Sequence, residues 1–289
     1  MSGPRIAAAV VTYNGAAWIR EVLTSILDQS TGLDQVVVVD DHSVDATCEI
    51  IRATFGAQIR LIPSQLPRQG TTSVSIYTRI AANFVQAVRE CGDAELVALA
   101  DQDDVWHRDR VAAQIEGIGS ATMIASDGAL VDDSGRAIGG TLRSVFPIPA
   151  GFAASSPAQR MRMALRHSIA TGSASVIRPR RLAESGVLDA PPGWLHDRWW
   201  SLAACALDSM VVDDTPVIDY RISGEQVVGL DRRAQQGSRL ARLVDHGRRA
   251  RESMAKVTAV HDRLAPIAAS APIRAELTVT RMARTVLAG

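Results

Sequence analysis

Three carboxylates lie within four residues of this 289-residue chain, at Asp101, Asp103 and Asp104, directly after an apolar run at residues 96–100. A short apolar run of this length predicts a buried strand. Carboxylates placed so closely repel one another unless a positive charge lies between them. A divalent cation carrying a phosphorylated ligand would supply that charge, because Mg²⁺ is usually held by one or two carboxylates and by substrate phosphates. We therefore expect the centre of function at this cluster.

The first half of the chain alternates between predicted strands and predicted helices. Apolar runs predict strands at residues 6–11, 36–39, 59–62 and 96–100, and helical spacing predicts helices at 16–29, 43–55 and 80–90. Because these strands lack polar alternation, they indicate a parallel α/β sheet with both faces covered.

Polar clusters follow three of the predicted strands, and these clusters are Thr12-Tyr13-Asn14, Asp40-Asp41 and Asp101-Gln102-Asp103-Asp104. In an open parallel sheet, ligands bind beyond the carboxyl ends of the strands. A single Asp after a strand is more often a turn former or a helix cap than a ligand. Three clusters at equivalent positions favour one shared site.

The second half of the chain predicts further strands and helices. We expect strands at 123–126, 173–177, 210–213 and 217–220, and helices at 160–167, 179–185 and 197–207. Arg-rich helices with apolar stripes are expected at 232–265 and 272–287, separated by prolines. The pattern indicates one compact domain over residues 1–230 and a helical C-terminal extension over 231–289.

The charge of the chain is zero overall but unevenly distributed. Residues 1–150 hold 11 arginines against 18 acidic residues, and residues 230–289 hold 12 basic residues against 5 acidic ones. An acidic first half fits a metal-dependent site. The basic tail fits an anionic surface such as lipid phosphates or a nucleic acid, and equally a solvated helical face.

The apolar stretch at residues 6–11 is too short for a signal peptide or a membrane span, and no later segment is long enough to span a bilayer. The three cysteines, Cys48, Cys91 and Cys205, are far apart and predict reduced thiols. Both features favour a cytoplasmic protein. Motifs for a P-loop, a nucleophile elbow or a dinucleotide fingerprint are missing, so NTPase, hydrolase and dehydrogenase functions lack support.

Three motifs together resemble the family 2 glycosyltransferases, and these are residues 10–14 (Val-Val-Thr-Tyr-Asn), 39–45 (Val-Asp-Asp-His-Ser-Val-Asp) and 100–106 (Ala-Asp-Gln-Asp-Asp-Val-Trp). The chain is most similar to the bacterial rhamnosyltransferase-like branch, which builds cell-surface polysaccharide. The resemblance spans about residues 5–229. It implies a GT-A fold, with a Rossmann-like, mostly parallel sheet flanked by helices, divided into a nucleotide-binding half (1–120) and an acceptor half (121–230).

The resemblance also implies roles at the donor site. A nucleotide-diphosphate sugar would bind with Mg²⁺ or Mn²⁺, and Thr12, Tyr13 and Asn14 would line its base and ribose. Asp41 would accept a hydrogen bond from a uracil or thymine ring N–H, since a carboxylate only accepts. Asp103 would bind the metal, and Asp101 would contact ribose or sugar hydroxyls. Asp104, the last acidic residue of the motif, would support the metal indirectly.

On the acceptor side, the same comparison matches Asp197 to the general base that deprotonates the acceptor hydroxyl. The neighbouring His196 would then lie beside the acceptor, and Trp194 and Trp199 would stack on a sugar ring. The alternative is that Asp197 caps a helix and the Trp residues belong to the core. Thr171 and Gly172 would approach the sugar or acceptor through close backbone contact, although an ordinary turn is nearly as good an interpretation.

Arg221 lies in a segment that resembles the family pattern Tyr-Arg-x-His-Gly-x-Asn-x-x-Gly, and it would hold diphosphate charge. Ser223 and Gln226 stand where that pattern has His and Asn. The chain also has a longer segment than the family between Gly70 and Asn83, which could alter sugar choice.

The sequence therefore predicts an inverting glycosyltransferase that moves a sugar from a UDP- or dTDP-sugar to a hydroxyl acceptor, in polysaccharide, glycolipid or secondary-metabolite glycoside synthesis. The basic segment 231–289 would contact an anionic membrane peripherally, and no nucleic-acid partner is expected. One alternative is a non-catalytic nucleotide-sugar-binding or scaffold subunit, which Ser223 favours. Another is a nucleotidyltransferase, which the missing basic phosphate loop near Thr12 disfavours.

Overall fold

The computed structural model describes residues 3–68, 70, 74–222 and 254–287. Within these ranges the chain forms one nine-stranded sheet with helices on both faces. The strands are β1 (Ile6–Thr12), β2 (Gln35–Asp40), β3 (Arg60–Pro63), β4 (Leu96–Ala100), β5 (Val105–Trp106), β6 (Met123–Val131), β7 (Ala137–Thr141), β8 (Ser175–Ile177) and β9 (Met210–Arg221).

The helices occupy the connections between these strands and the C-terminal part of the chain. They are α1 (Ile19–Leu27), α2 (Thr47–Phe55), α3 (Ile76–Glu90), α4 (Arg110–Ile118), α5 (Leu142–Val145), α6 (Pro157–Arg166), α7 (Pro179–Glu184), α8 (His196–Ala206), α9 (described over 254–264), α10 (Ala271–Glu276) and α11 (Val279–Leu287). Short 3₁₀ turns cover Gly56–Gln58 and Gly172–Ala174.

The strand order is β3-β2-β1-β4-β8-β6-β9-β5, with β7 paired to the outer part of β6. The pairs β1–β2, β2–β3, β1–β4 and β6–β9 are parallel, whereas β8 runs antiparallel to both β4 and β6. Because β8 reverses direction between two strands of the same sense, β6 and β9 point the same way as β1 to β4. The expected mostly parallel GT-A sheet is confirmed.

Alternate residues of the central strands face two separate helical layers. Ala7 and Ala9 of β1 join the cluster formed with α3, α6 and α8, whereas Ala8 and Val10 join the cluster formed with α1, α2 and α4. Both sets are fully buried, which explains why these strands are apolar along their whole length.

Several predicted bounds were wrong. The two strands expected at 210–213 and 217–220 are one strand, β9, with register irregularities against β6. The helix expected from residue 80 begins at Ile76, because the Ser75 hydroxyl accepts from the Thr78 N–H and caps it one turn earlier. The helix expected at 272–287 is divided between α10 and α11.

The expected C-terminal helices are present, and their described part packs against the core of the domain. Val257, Leu264, Ile273 and Leu277 are buried in the same cluster as α6 and α8. Arg162 of α6 forms a two-pronged ion pair with Glu276 of α10, at 3.0 and 2.7 Å. The apolar stripes expected in these helices are therefore used for packing on the domain.

The three cysteines carry free thiols, as predicted, and lie in the described part of the fold. Within the described ranges, no helix is both long enough and apolar enough to cross a membrane.

Replacing Leu264 with Ala should lower the free energy of unfolding by about 2–5 kcal/mol, because it opens a cavity at a fully buried position of α9. Chemical denaturation measures the loss. Met254→Ala in the same helix is the matched control, since Met254 is exposed and should cost little. Equal, small effects of both substitutions would mean that α9 does not belong to the core.

Candidate functional site

A cavity of about 460 Å³ opens at the carboxyl ends of β1, β2 and β4. Its lining brings together residues from the donor and acceptor halves of the predicted site, among them Thr12, Tyr13, Asp41, Asp101, Asp103, Thr171, Gly172, His196 and Asp197. Apolar side chains complete the wall, and these include Trp18, Ile76, Ile80, Phe84 and Phe146. The convergence at the sheet edge follows from the parallel strands, whose ends meet at one edge.

The acidic cluster at the end of β4 carries strong mutual repulsion. Burial, then the charges of Asp103 and Asp197, raise the pKa of Asp101 to about 7. Burial and the charges of Asp103 and Asp101 also raise the pKa of Asp104 well above its ordinary value. Asp101 and Asp103 both face the cavity, whereas Asp104 is buried and accepts a hydrogen bond from the Arg221 N–H at 3.0 Å.

A buried arginine lies beneath this cluster. Arg110 of α4 stacks over the Trp106 ring at 3.8 Å and donates to the Leu99 carbonyl at 3.0 Å and to the Gln114 side chain at 3.0 Å. Burial lowers its pKa to about 9, and the charges of Asp104 and Asp101 oppose that shift. Arg110 thus offsets part of the negative charge from the side opposite the cavity.

The donor set fits a hard divalent cation. Asp101 and Asp103 both line the cavity, and the charge of Asp103 contributes to the raised pKa of Asp101. A cation between the two carboxylates would offset this repulsion. Among the described residues, no group of three or more His, Cys, Asp or Glu side chains is arranged to hold a metal ion. A Mg²⁺ or Mn²⁺ ion held by one or two carboxylates would complete its coordination with phosphate and water oxygens.

Asp41 lies in the cavity wall with an arginine partner that the sequence did not indicate. Its Oδ1 accepts from Arg79 Nη1 at 2.6 Å, and both side chains are almost completely buried. The second terminal nitrogen of Arg79 donates to the Pro67 carbonyl. The pair fixes the Asp41 carboxylate at the edge of the cavity.

The loop after β1 is held by side chains of the neighbouring loops. Gln102 Oε1 accepts from the Thr12 hydroxyl at 2.9 Å and from the Tyr13 N–H at 2.7 Å. Asn14, which has a left-handed backbone with φ 51°, accepts from the Val44 N–H at 2.9 Å. Thr12 and Tyr13 line the cavity as predicted, but Asn14 does not. The Asn14 side chain instead joins two loops, and its contact with base and ribose stays a prediction.

Asp197 occupies the first turn of α8, with Leu195 as the N-cap residue, so the capping interpretation of Asp197 is wrong. One carboxylate oxygen accepts from the Arg198 N–H at 2.6 Å and the other from the Gly172 N–H at 3.1 Å. Burial raises the pKa of Asp197, and these two hydrogen bonds oppose the shift. The result is a fixed carboxylate in the cavity wall with enhanced basicity.

His196 lies beside this carboxylate as a buried, neutral imidazole. Its ring stacks on Phe84 at a centroid distance of 3.7 Å, and burial lowers its pKa to about 3. Gly172 passes directly over the ring, because a Cβ atom at this glycine would lie 2.6 Å from His196 Nε2. The Thr171-Gly172 segment therefore needs glycine for its close approach to α8, and its approach to the sugar or acceptor stays a prediction.

Gly172→Ala should lower the free energy of unfolding by about 1–3 kcal/mol, because the added methyl group overpacks a site closed by His196. The midpoint of urea unfolding measures this change. Gly32→Ala is the matched control, since a Cβ at that glycine meets nothing within 4 Å. A stability equal to that of the Gly32 variant would mean that His196 moves aside freely.

Two of the predicted acceptor residues lie outside the cavity. Trp199 is fully buried in the core and its indole donates to the Val187 carbonyl at 2.8 Å. Trp194 packs edge-on against it at 5.8 Å between ring centroids. Neither ring lines the cavity, and the burial of Trp199 agrees with the alternative that it belongs to the core. Stacking of these rings on a sugar stays a prediction. Apolar helix positions with large rings favour burial over ligand contact.

Arg221 is also not a cavity residue. Its side chain is 1% exposed and donates to the backbone carbonyls of Asp103, Asp132 and Asp133, while Nη2 pairs with Glu21 at 3.0 Å. Binding of diphosphate by Arg221 therefore stays a prediction, and in this structure its guanidinium is held by protein groups. This arginine ties the acidic loop to the β6–β7 hairpin. Ser223 and Gln226 lie outside the described residues.

The mostly parallel sheet flanked by helices is a GT-A type fold, and its cavity lies at the carboxyl ends of the parallel strands. Residues 8–136 match the model of the family described as Glycosyl transferase family 2, and this part of the chain is a family 2 glycosyltransferase domain. The match includes all three motifs of the donor half.

Two curated relatives are similar to this chain. The dTDP-rhamnosyl transferase RfbG of Shigella flexneri is 28% identical over 112 residues, which are 37% of this chain and 36% of the relative. The putative teichuronic acid biosynthesis glycosyltransferase TuaG of Bacillus subtilis is 26% identical over 113 residues, 39% of this chain and 41% of the relative. The matches thus span well under half of either relative. They agree with the rhamnosyltransferase-like branch expected from the motifs.

Solved structures share the fold at low identity. The mannosyltransferase PcManGT of Pyrobaculum calidifontis, in complex with GDP-Man and Mn²⁺, has a TM-score of 0.54 at 18% identity, covering 100% of this chain and 75% of that one. TarS 1–349 of S. aureus, in complex with UDP-GlcNAc, has a TM-score of 0.52 at 19% identity, covering 77% and 60%. These likenesses establish the GT-A type fold.

Three residues of the site escaped the sequence interpretation. Gln102 was included in the polar cluster after β4 without a role of its own, and no role was assigned to Arg79 or Arg110. Only Arg110 had a usable signal, since an arginine shortly after an acidic cluster can supply its counter-charge. The contacts of Arg79 depend on the path of residues 63–67, which sequence periodicity does not define.

Proposed function

We propose that this protein is an inverting glycosyltransferase that moves a sugar from a UDP- or dTDP-linked donor to a hydroxyl acceptor. One observation carries the proposal: Asp197 and the carboxylates Asp101 and Asp103 line the same cavity, although they come from opposite halves of the chain. An inverting displacement needs a base and a leaving-group site on opposite faces of one sugar. The family 2 domain and the two curated relatives support this reaction class.

In the proposed reaction, Asp197 accepts the proton of the acceptor hydroxyl. The acceptor oxygen forms a bond to the anomeric carbon as the bond from that carbon to the diphosphate oxygen breaks, and a nucleoside diphosphate leaves. The hydrogen bonds from Gly172 and Arg198 hold the carboxylate in place for this step. Burial raises the pKa of Asp197, which makes its carboxylate a stronger proton acceptor than an exposed Asp.

Asp103, with Asp101 beside it, would hold Mg²⁺ or Mn²⁺. Such an ion supplies Lewis-acid stabilisation of the charge that develops on the departing diphosphate. Asp41 would accept from the base, with Thr12 and Tyr13 beside the ribose, because these residues line the cavity next to the fixed Asp41–Arg79 pair.

The relatives suggest a role in cell-surface polysaccharide synthesis, with glycolipid or secondary-metabolite glycoside synthesis as further contexts. Cytoplasmic placement and peripheral contact with an anionic membrane through 231–289 remain part of the proposal. Seven of the twelve basic residues of that segment fall at 231–253, outside the described residues. A scaffold function without catalysis is the second candidate, and it requires only donor binding.

The donor site is tested by thermal unfolding of the purified protein with UDP, dTDP, GDP and CDP, each with and without Mn²⁺. A ligand at about 100 times its Kd adds roughly 2.7 kcal/mol of stability. We expect one uracil or thymine diphosphate to stabilise the protein strongly only with metal, and Asp103→Asn to abolish that gain.

Asp109→Asn is the matched control for this experiment. Asp109 is exposed between β5 and α4, and its side chain makes no capping hydrogen bond. It should leave the metal-dependent gain intact. Failure of every nucleotide to stabilise the protein, with or without Mn²⁺, would refute the donor site and with it the transferase proposal.

A further inference from the structure

Arg143 lies in α5 and lines the cavity on the side of β6. Its Nη2 donates to the carbonyls of Ala125 at 3.1 Å and Ser126 at 3.2 Å, and its backbone N–H donates to the Asp127 carboxylate at 3.1 Å. The side chain is only 16% exposed. Hydrogen bonds from Nη2 to backbone carbonyls thus hold one end of the guanidinium in a fixed position.

The other terminal nitrogen of Arg143, Nη1, has no hydrogen-bond partner among the described residues. The acidic groups around the guanidinium are Asp127, Asp213 and Asp214, and burial lowers its pKa against their opposing charges. The nearest carboxylate contact is at Nε, 3.8 Å from an Asp214 side chain that is mostly in solvent. Arginine remains protonated in such a setting, so a cation with an open donor faces the cavity.

Arg110 also has a terminal nitrogen without a hydrogen-bond partner in the described part of the chain, but it is buried and does not line the cavity. Three further arginines near the cavity use both terminal nitrogens in contacts with the protein. Arg198 donates through both to the carbonyls of His167 and Leu165. Arg79 is divided between Asp41 and the Pro67 carbonyl. Arg221, the residue expected to meet the diphosphate, is buried in contacts with backbone carbonyls and Glu21.

Sheet register places Arg143 at the level of the acidic cluster. Val97 of β4 and Met123 of β6 both pair with Ile177 of the strand between them, so Ser126 lies level with Ala100 at the end of β4. Two strand spacings separate these backbones, about 10 Å. A diphosphate near Asp101 and Asp103 therefore lies within reach of the Arg143 side chain.

We propose that Arg143 Nη1 donates to a phosphate oxygen of the donor diphosphate, in the role that the sequence comparison assigned to Arg221. This inference rests on the proposed function, since it needs a nucleotide-sugar donor in the cavity. An arginine fork that is anchored at one nitrogen and open at the other is suited to charge-assisted binding of phosphate.

Truncated ligands separate a phosphate contact from a general effect on the site. The affinities of UDP, UMP and uridine, and of dTDP, dTMP and thymidine, are measured by NMR titration with Mn²⁺ replaced by Mg²⁺ to avoid paramagnetic broadening. Arg143→Gln should weaken diphosphate binding by about 10–100-fold and leave the nucleoside unchanged, because a hydrogen bond to a charged group is lost. Arg143→Lys should recover part of the diphosphate affinity.

Arg136→Gln is the control, since Arg136 is exposed on the neighbouring β6–β7 hairpin. If Arg143→Gln fails to fold, the lysine variant carries the test, with a smaller loss confined to the phosphorylated ligands. An equal loss for nucleoside and diphosphate, or no loss for either, would overturn the inference while leaving the donor site intact. Absence of binding by the unsubstituted protein in both base series would instead overturn the proposed function and this inference with it.

Discussion

Asp197→Asn is expected to lower the rate of sugar transfer by about 10²–10⁴-fold, because an amide cannot accept the acceptor proton. Donor binding should persist, since Asp197 lies at the acceptor end of the cavity and Asn can still accept one of the two backbone hydrogen bonds. Release of nucleoside diphosphate from a donor and acceptor pair measures the rate, and nucleotide-dependent stabilisation measures binding.

Asp189→Asn is the matched control for this substitution. Asp189 pairs with Arg89 on the surface, with both side chains more than half exposed, and exposed pairs contribute little. It should leave the transfer rate unchanged. Full cellular function of the Asp197→Asn protein, combined with normal donor binding, would instead favour the scaffold candidate over the enzyme.

The ligand-free protein is expected to lose stability as the pH rises from about 4 to about 7. The pKa of Asp101 is about 7 in the folded protein and near 3.8 in the unfolded chain. Between these values the folded state keeps a proton that the unfolded state has lost, so the free energy of unfolding falls with increasing pH, and the loss is complete above pH 7. One pKa unit corresponds to about 1.36 kcal/mol, so the loss amounts to a few kcal/mol before solvent screening.

Asp101→Asn should remove this pH dependence and raise the melting temperature of the ligand-free protein at pH 8, while preventing the stabilisation by metal and nucleotide. Thermal scans at pH 5 and pH 8 measure both effects. Asp93→Asn serves as the control, because Asp93 is exposed and pairs with Arg5 at the surface. A protein whose melting temperature is as high at pH 8 as at pH 5 would contradict the repulsion within the cluster.

The sheet and the convergence of three polar clusters were predictable from short apolar runs. Apart from Gln35 at the start of β2, the residues of β1, β2 and β4 are apolar up to the end of each strand. A parallel arrangement then brings Thr12, Asp41 and Asp101 to one edge. Hydrophobic pattern and strand direction are local properties, which a sequence displays directly.

The roles of individual polar side chains were less predictable, because they depend on contacts between distant segments. Arg221 is the last residue of β9, yet its guanidinium donates to the carbonyls of Asp103 and Asp132, about ninety or more positions earlier in the chain. Asn14 bonds a loop thirty residues later. Trp199 belongs to a helix whose buried face is set by neighbours that include the C-terminal helices. No spacing rule encodes such pairings.

The C-terminal end of α8, the helix that carries Asp197, contacts a much later part of the chain. The Ala206 carbonyl of α8 accepts from the Ala269 N–H at 2.9 Å, and Arg263 lies over the Trp199 ring at 5.3 Å. During synthesis the acidic cluster and its strands emerge more than 150 residues before Ala269. The strands of residues 1–120 can therefore assemble on the ribosome first. Asp197 reaches its final position only after α9 and the turn that follows it have been synthesised.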